Sequence, residues 1–292
     1  MNTNAMTVDV EDYFQVEAFA STIDRADWER LPRRVERNTG HLLDLFAESG
    51  VNATFFVLGW IAARHPALVR RIVAEGHELA SHGCDHIRAD RQTPAAFRAD
   101  VRRSKGILED AGGVPVVGYR APTFSIGGDS DWAHAILAEE GYRYSSSVYP
   151  VRHDLYGNSG APRTGFSPAA GIVEIPLSTV RLAGIDLPAS GGGYFRLFPY
   201  AVSRWLLQQA GRCLDAPAVF YLHPWEIDPQ QPRQRRAPRR SRFRHYLNLG
   251  RTEERLRRLL GDFTWTRMDR LFLTAPARPF PVITAWTGSR SR

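Results

Sequence analysis

The sequence has few cysteines and almost no lysine. Its 292 residues include two cysteines, Cys84 and Cys213, which allow one disulfide at most and exclude a disulfide-stapled fold. We expect both to be free thiols in a reducing compartment. Lys105 is the single lysine among the 38 lysine and arginine residues. Part of the arginine content therefore reflects a general bias towards arginine rather than selection for binding a ligand.

Long apolar runs are also missing. No stretch approaches the roughly 20 apolar residues that span a bilayer, and the N-terminus lacks a basic region followed by an apolar one. We therefore expect no secretory signal and a location in the cytoplasm or at the inner face of the membrane, with the periplasm as the alternative. A hydrophobic content of 43% and a charged content of 24% are ordinary for a globular protein.

Positive charge is concentrated in one segment. Residues 233–244 carry seven arginines and no acid, which equals the whole net charge of +7. We interpret this segment as a solvated surface loop interrupted by proline. The alternatives are a patch for an anionic polymer or a peripheral contact with the anionic headgroups of a membrane. No nucleic-acid partner is expected.

Strand-like and helix-like segments alternate along the chain. Repeated strand–helix units predict an α/β fold with a parallel sheet and outer helices, open or closed as a barrel. The predicted strands include residues 5–10, 51–58, 77–81, 114–119, 144–148, 172–177 and 218–222. Helices are predicted between them, and a late amphipathic helix is predicted over residues 247–260.

Polar side chains follow several of the predicted strands. His82 and His86 lie four residues apart, a spacing that lets both rings point at one metal ion. The carboxyl ends of parallel strands meet at one edge, where active groups of such folds gather. Residues expected at this edge are Asp9, Glu11, Asp12, His82, His86, Arg120, Pro122 and His223.

These residues belong to motifs that resemble a known family. The motifs are TVDVED at 7–12, SHGCDH at 81–86, RAP at 120–122, DSDW at 129–132 and LHPW at 222–225. In this order they resemble the polysaccharide deacetylases of the NodB-homology type, carbohydrate esterase family 4. The resemblance implies a distorted (β/α) barrel of seven strands. DVEDYF at 9–14, SGGGYFR at 190–196 and LHPWEIDP at 222–229 resemble the subgroup linked to exosortase (PEP-CTERM) exopolysaccharide loci.

The resemblance also implies domain limits. We expect a deacetylase domain over residues 1–228. Residues 229–292 would form a C-terminal extension packed on the barrel, with the arginine-rich loop 233–244 inside it.

The resemblance further implies a division of chemical roles. His82 and His86 would bind a divalent metal with one carboxylate, zinc most often and cobalt or nickel as alternatives. Asp9 would act as general base on a water, and Arg120 would pair with Asp9. His223 would protonate the leaving amine, supported by Asp129 or Asp131.

One position departs from the family pattern. Many members have two adjacent aspartates at the first motif, whereas this chain has Val10 after Asp9. The carboxylate ligand must then come from Glu11 or Asp12. Glu11 shares a face with Asp9 on a regular strand, but Asp12 can turn inward if the strand ends at Val10. Both alternatives stay open.

Substrate contacts are predicted at Pro122, Tyr194 and Trp225, where the two aromatic rings suit stacking on sugar rings. The predicted reaction is the removal of N-acetyl groups from N-acetylhexosamine units of a polysaccharide, in exopolysaccharide biosynthesis. One alternative keeps the fold and changes the substrate to peptidoglycan, chitooligomers or a small amide. The other is a non-catalytic protein that binds a glycan or polyanion through the arginine-rich segment.

Overall fold

A computed structural model describes residues 3–154, 156–168, 171–274 and 279–283, except for the side chain of Asp129. Its central strand, β1 (Asn4–Val10), is buried along its whole length. A strand buried on both faces is often a nearly continuous apolar run, whereas β1 alternates apolar residues with the buried polar residues Asn4, Thr7 and Asp9. Within the described ranges, no helix is long and apolar enough to cross a membrane.

The main sheet has eight parallel strands in the part of the chain that the structure describes. The strands are β1, β2 (Thr54–Val57), β3 (Glu78–Ser81), β4 (Gly118–Tyr119), β5 (Tyr144–Ser145), β6 (Val173–Glu174), β9 (Val219–Leu222) and β10 (Trp265–Thr266). Their order runs from β10 through β1 to β6, and β9 also pairs with β1. A separate antiparallel hairpin consists of β7 (Thr179–Leu182) and β8 (Ile185–Pro188).

Helices cover the outside of this sheet. They are α1 (Val35–Glu48), α2 (Gly59–Arg64), α3 (Pro66–Ala74), α4 (Pro94–Gly112), α5 (Trp132–Glu139), α6 (Gly192–Leu197), α7 (Tyr200–Leu214), α8 (Arg239–Tyr246), α9 (Leu249–Asp262) and α10 (Met268–Phe272). The result is a parallel half-barrel with helices around it, which confirms the predicted α/β fold of the NodB type. The loops that follow the parallel strands meet at one edge.

Local signals explain where several helices begin and end. The Thr93 hydroxyl accepts the backbone N–H of Ala96 at 3.2 Å and caps α4. Gly113 ends α4 in a left-handed conformation with φ of 66°. Helix α3 has Pro66 in its first turn, where the missing N–H has no helical partner to lose.

The C-terminal region contributes directly to the barrel. Strand β10 pairs with the first residues of β1, Asn4 opposite Trp265 and Ala5 opposite Thr266. Leu256, Leu259 and Leu260 of α9 are buried in the main core. Residues 249–266 are therefore packed on the barrel, while the predicted division into a domain over residues 1–228 and an extension over 229–292 stays a prediction.

Several elements differ from the sequence prediction. The second half of the arginine-rich loop is helical, because α8 spans Arg239–Tyr246. The sequence analysis also missed the hairpin β7–β8 and the short helix α2. Several predicted strands are shorter than expected, since only two residues of β4, β5 and β6 pair in the sheet.

Gly191 and Gly193 provide a matched test of close packing against β9. Gly191 has φ of 110°, and a Cβ there would overlap the carbonyl oxygen of Tyr221. We expect Gly191→Ala to lower the free energy of unfolding by roughly 2–4 kcal/mol, through backbone strain and overpacking. A Cβ on Gly193 would meet only Arg196 Nη2 at 3.9 Å. Gly193→Ala is the control, and an equal loss in urea unfolding of both variants would contradict the assignment.

Candidate active site

Three buried side chains from two strand ends point at one place. The Glu11 Oε1 atom lies 3.1 Å from His82 Nε2 and 3.1 Å from His86 Nε2. Candidate ligand atoms of these three residues lie within 4.8 Å of one another. Two imidazole nitrogens and one carboxylate oxygen form a ligand set typical of catalytic zinc sites.

The loop that carries the two histidines is fixed by its backbone. Gly83 has φ of 75° and His86 has φ of 55°, so the chain makes a tight left-handed turn between the two rings. Carbonyls of Gly83 and Cys84 accept the N–H groups of Gly59 and Trp60 at 2.9 Å each. Helix α2, which the sequence analysis missed, thus holds this loop.

Cys84 is not part of the three-residue cluster. Its side chain is buried, and burial raises the pKa of the Cys84 thiol to about 12. A thiol with so high a pKa stays protonated at neutral pH. The structure places it beside Asp85 and Asp100 instead.

Arg120 connects Asp9 to the histidine loop. Its Nη1 atom lies 2.6 Å from Asp9 Oδ1, and both side chains are buried. The carbonyl of Arg120 accepts from His82 Nδ1 at 2.8 Å, which leaves His82 Nε2 facing Glu11. Ser146 accepts from Arg120 Nη2 through its hydroxyl and from Nε through its carbonyl. Arg120 therefore orients groups from three strand ends, Asp9 and Ser146 through its guanidinium and His82 through its carbonyl.

His223 reaches the site from the end of β9. Its Nε2 atom lies 3.7 Å from Glu11 Oε1. Its Nδ1 atom lies 2.8 Å from Glu226 Oε1, and Glu226 is paired in turn with Arg196 Nε at 2.6 Å. Arg196 Nη1 also donates to the carbonyls of Arg244, His245 and Leu247.

The charges of these groups shift one another's pKa values. Burial alone would raise the pKa of Glu11. The charges of His86 and His223 and the hydrogen bonds with His82 and His86 outweigh burial, and they hold the pKa of Glu11 well below its ordinary range. Burial opposes a charge on His223. The charge of Glu11 and the hydrogen bond to Glu226 outweigh burial and raise the pKa of His223 to about 9. His223 is therefore protonated at neutral pH in this arrangement.

Asp12, one of the two carboxylates left open by the sequence, does not face the histidines. Its Oδ2 atom accepts the N–H groups of Arg34 and Val35 at the start of α1, and its Oδ1 atom accepts the N–H of Tyr13. These bonds use the carboxylate to cap a helix. The prediction that Asp12 is a metal ligand is contradicted by this geometry, and Glu11 is the carboxylate that meets the two rings.

The group that supports His223 also differs from expectation. The Nδ1 partner of His223 is Glu226, whereas Asp131 is the residue before α5. The side chain of Asp129 lies outside the described residues. Glu226 and Arg196 are the site residues that the sequence analysis missed. The spacing of three residues between His223 and Glu226 was a usable signal, whereas Arg196 lies too far away in sequence to be paired by inspection.

The three predicted substrate contacts have different surroundings. Trp225 is only 6% exposed, and its ring stacks on His223 and on His245 with centroids 5.1 Å and 4.1 Å apart. Little of that ring is left for a sugar, so Trp225 supports His223 rather than stacking on substrate. Tyr194 is half-buried and lines an open groove. Pro122 is buried and begins the short helix after Arg120.

Two family models together match most of the chain. Residues 16–145 match a model described as polysaccharide deacetylase, and residues 146–273 match one described as a domain of unknown function, DUF3473. His82, His86 and Arg120 lie in the first match. His223, Glu226 and Arg196 lie in the second, so the site combines residues from both matched regions.

Curated relatives match short stretches at moderate identity. A chitooligosaccharide deacetylase from Bradyrhizobium sp. (strain ANU 289) is 40% identical over 73 residues, which is 25% of this chain and 33% of the relative. One from Rhizobium leguminosarum bv. trifolii is 56% identical over 48 residues, 16% of this chain and 22% of the relative. A Bacillus cereus peptidoglycan-N-acetylglucosamine deacetylase is 32% identical over 71 residues, 24% and 33% respectively. The chain spans a third or less of these relatives.

Solved structures share the fold over most of the chain. A presumed polysaccharide deacetylase from Mycobacterium smegmatis superposes with a TM-score of 0.63 at 22% identity, covering 97% of this chain and 94% of its own. A peptidoglycan N-acetylglucosamine deacetylase gives a TM-score of 0.52 at 15% identity, covering 94% and 89%. At these identities the likeness concerns the fold.

Glu226 offers a test of the buried pair behind His223. The side chains of Arg196 and Glu226 are both almost fully buried, and removing the carboxylate leaves a buried guanidinium without its counter-charge. We expect Glu226→Ala to cost roughly 3–5 kcal/mol in the free energy of unfolding. Glu254→Ala, at an exposed carboxylate of α9, should change it by less than about 0.5 kcal/mol. Similar losses in urea unfolding would contradict the role given to the pair.

Proposed function

Because residues 16–145 match a family model described as polysaccharide deacetylase, we propose that the chain is a metal-dependent hydrolase. It removes N-acetyl groups from N-acetylhexosamine units of a polysaccharide. The observation that carries this proposal is the buried cluster of Glu11, His82 and His86. It lies at the strand edge that also holds the Asp9–Arg120 pair and His223.

The donor set suits a divalent metal. Glu11, His82 and His86 would hold zinc, or cobalt or nickel as alternatives, through one oxygen and two nitrogens. The hydrogen bond from His82 Nδ1 to the Arg120 carbonyl supports this, because it leaves Nε2 as the ligand atom. When bound, the metal supplies a Lewis acid that polarises the acetyl carbonyl and makes water a better nucleophile.

Asp9 takes the proton from the attacking water. The guanidinium of Arg120 fixes the direction of the Asp9 carboxylate through a charge-assisted hydrogen bond. The hydroxyl of Thr7 accepts from the same Arg120 nitrogen at 2.8 Å and limits its movement. General base catalysis by such an oriented carboxylate contributes about 10²–10⁴-fold to a rate.

His223 gives a proton to the leaving sugar amine. Its Nδ1 atom faces Glu226, so the Nε2–H is the proton that points into the site. As water oxygen bonds to the acetyl carbon, the amide C–N bond breaks and the amine nitrogen takes this proton. The products are acetate and a free amino sugar.

The substrate class follows from two kinds of relative. Chitooligosaccharide deacetylases and peptidoglycan N-acetylglucosamine deacetylases both match this chain. We propose N-acetylated polysaccharide as the common class, with an exopolysaccharide as the physiological polymer. A panel of chitooligosaccharides, peptidoglycan and N-acetylated exopolysaccharide, with acetate release as the readout, tests the choice.

Metal binding should separate Glu11 from Asp12. We expect Glu11→Gln to weaken zinc binding to chelator-stripped protein by more than about 100-fold, beyond the loss typical of an outer partner. Asp12→Asn should bind zinc nearly as the unmodified protein does, because Asp12 caps α1. Titration calorimetry measures both. Loss of zinc in Asp12→Asn with retention in Glu11→Gln would contradict this assignment.

Activity should separate the proton-transfer groups from the ligands. We expect Asp9→Asn and His223→Ala each to lower kcat for acetate release by about 10²–10⁴-fold while zinc still binds. Asp24→Asn, at an exposed aspartate outside the site, is the control and should keep full activity. Full activity in both site variants would refute the proposed function.

A further inference from the structure

The arginine-rich segment is a fixed wall beside the site rather than a free loop. His245 of α8 is 3% exposed, stacks on Trp225 at 4.1 Å and lies 2.6 Å from Gln231 Oε1 through its Nε2 atom. Arg196 donates to three carbonyls around the end of α8 at 2.8–3.0 Å. The same Arg196 holds Glu226, the partner of His223, so the segment and the proton donor share one anchor.

Two depressions lie along this wall and meet at Phe243. The inner groove, about 400 Å³, is lined by Tyr156, Tyr194, Trp225, Arg240, Phe243 and Arg244 among others. The outer groove, about 410 Å³, is lined by Arg233, Gln234, Arg235, Arg239, Arg242, Phe243 and Tyr246. Trp225, which stacks on His223, and Arg196 border the inner groove, so this groove lies next to the proposed proton donor.

Positive charge along these grooves is largely uncompensated. Arg240 and Arg244 share one carboxylate, Asp154, at 3.3 Å and 3.0 Å. In the described ranges, no carboxylate lies within 4 Å of the four arginines of the outer groove. These are Arg233, Arg235, Arg239 and Arg242. Planar guanidinium groups match carboxylates in two-point hydrogen bonding, and the aromatic rings supply the apolar surface that ligand grooves use.

We propose that the polysaccharide substrate is acidic. With an N-acetylhexosamine unit at the candidate active site, the neighbouring units lie in the inner groove. Carboxylate-bearing units farther along the strand pair with the arginines of the outer groove. This inference rests on the proposed function and names the substrate class of the same site.

The shape of the surface favours a glycan strand over a membrane. The arginines and aromatic rings line concave grooves, the inner of which lies next to the proposed proton donor, whereas a bilayer presents a broad anionic face. Phe243, which is 62% exposed, lies where the two grooves meet and offers a ring to a strand that passes between them. A membrane contact through the same arginines is an outcome that the experiment below detects.

Binding of a labelled oligogalacturonate to the full chain tests the proposal without requiring turnover. We expect fluorescence anisotropy to show binding that weakens with added salt and a cello-oligosaccharide of equal length to compete poorly. The double variant Arg235→Gln/Arg239→Gln should bind the oligogalacturonate roughly three- to tenfold more weakly. Arg70→Gln, at an exposed arginine of α3, is the matched control and should bind normally.

Acetate release from a neutral chitooligosaccharide is measured on the same samples. It distinguishes a failure of the acidic-substrate inference from a failure of the proposed function. Acetate release without oligogalacturonate binding, or equal binding by the double variant and the control, overturns the acidic-substrate inference alone. No acetate from any polymer overturns the proposed function, while the binding result stays interpretable. If the double variant instead loses only its binding to phosphatidylglycerol vesicles, the arginines serve a membrane and the inference is wrong.

Discussion

The site depends on one buried ion pair, that of Arg120 with Asp9. Arg120 is fully buried and lies over the ring of Phe56 at 4.1 Å, so its charge must be met inside the protein. Asp9 supplies the counter-charge, and Thr7 and Ser146 accept the remaining hydrogen bonds. The carbonyl of Arg120 then sets the ring of His82. Because Arg120 bonds to all of these partners in a dry interior, it fixes the orientation of each one. Preorganised catalysis requires polar groups that are fixed in this way.

The two halves of the chain contribute different parts of the chemistry. The first half provides the cluster of Glu11, His82 and His86 and the proposed base Asp9, which Arg120 orients. The second provides His223 with the chain of partners behind it, Glu226 and Arg196. It also provides the walls of the groove.

Much of the site was predictable because strand ends of a parallel sheet converge. The order of short motifs placed Asp9, His82, His86, Arg120 and His223 at one edge, and the structure brings them together. The choice between Glu11 and Asp12 was not predictable, since it depends on whether the backbone turns at Val10, and helix α1 captures Asp12 from the other side. Arg196 could not be predicted from the sequence. Its partners, the Glu226 carboxylate and three backbone carbonyls, come near it only when the chain folds. The helical character of α8 was hidden by its low hydrophobicity.

The position of β1 in the sheet has a consequence for the order in which the protein matures on the ribosome. Strand β1 is made first, yet its neighbours β9 and β10 begin at residues 219 and 265. Until those residues emerge, one edge of β1 stays open, and open edges invite pairing with other chains. Domains dominated by such distant pairings fold slowly. A nascent chain that has not reached residue 223 therefore lacks the proposed proton donor His223 and leaves an edge of β1 open to aggregation.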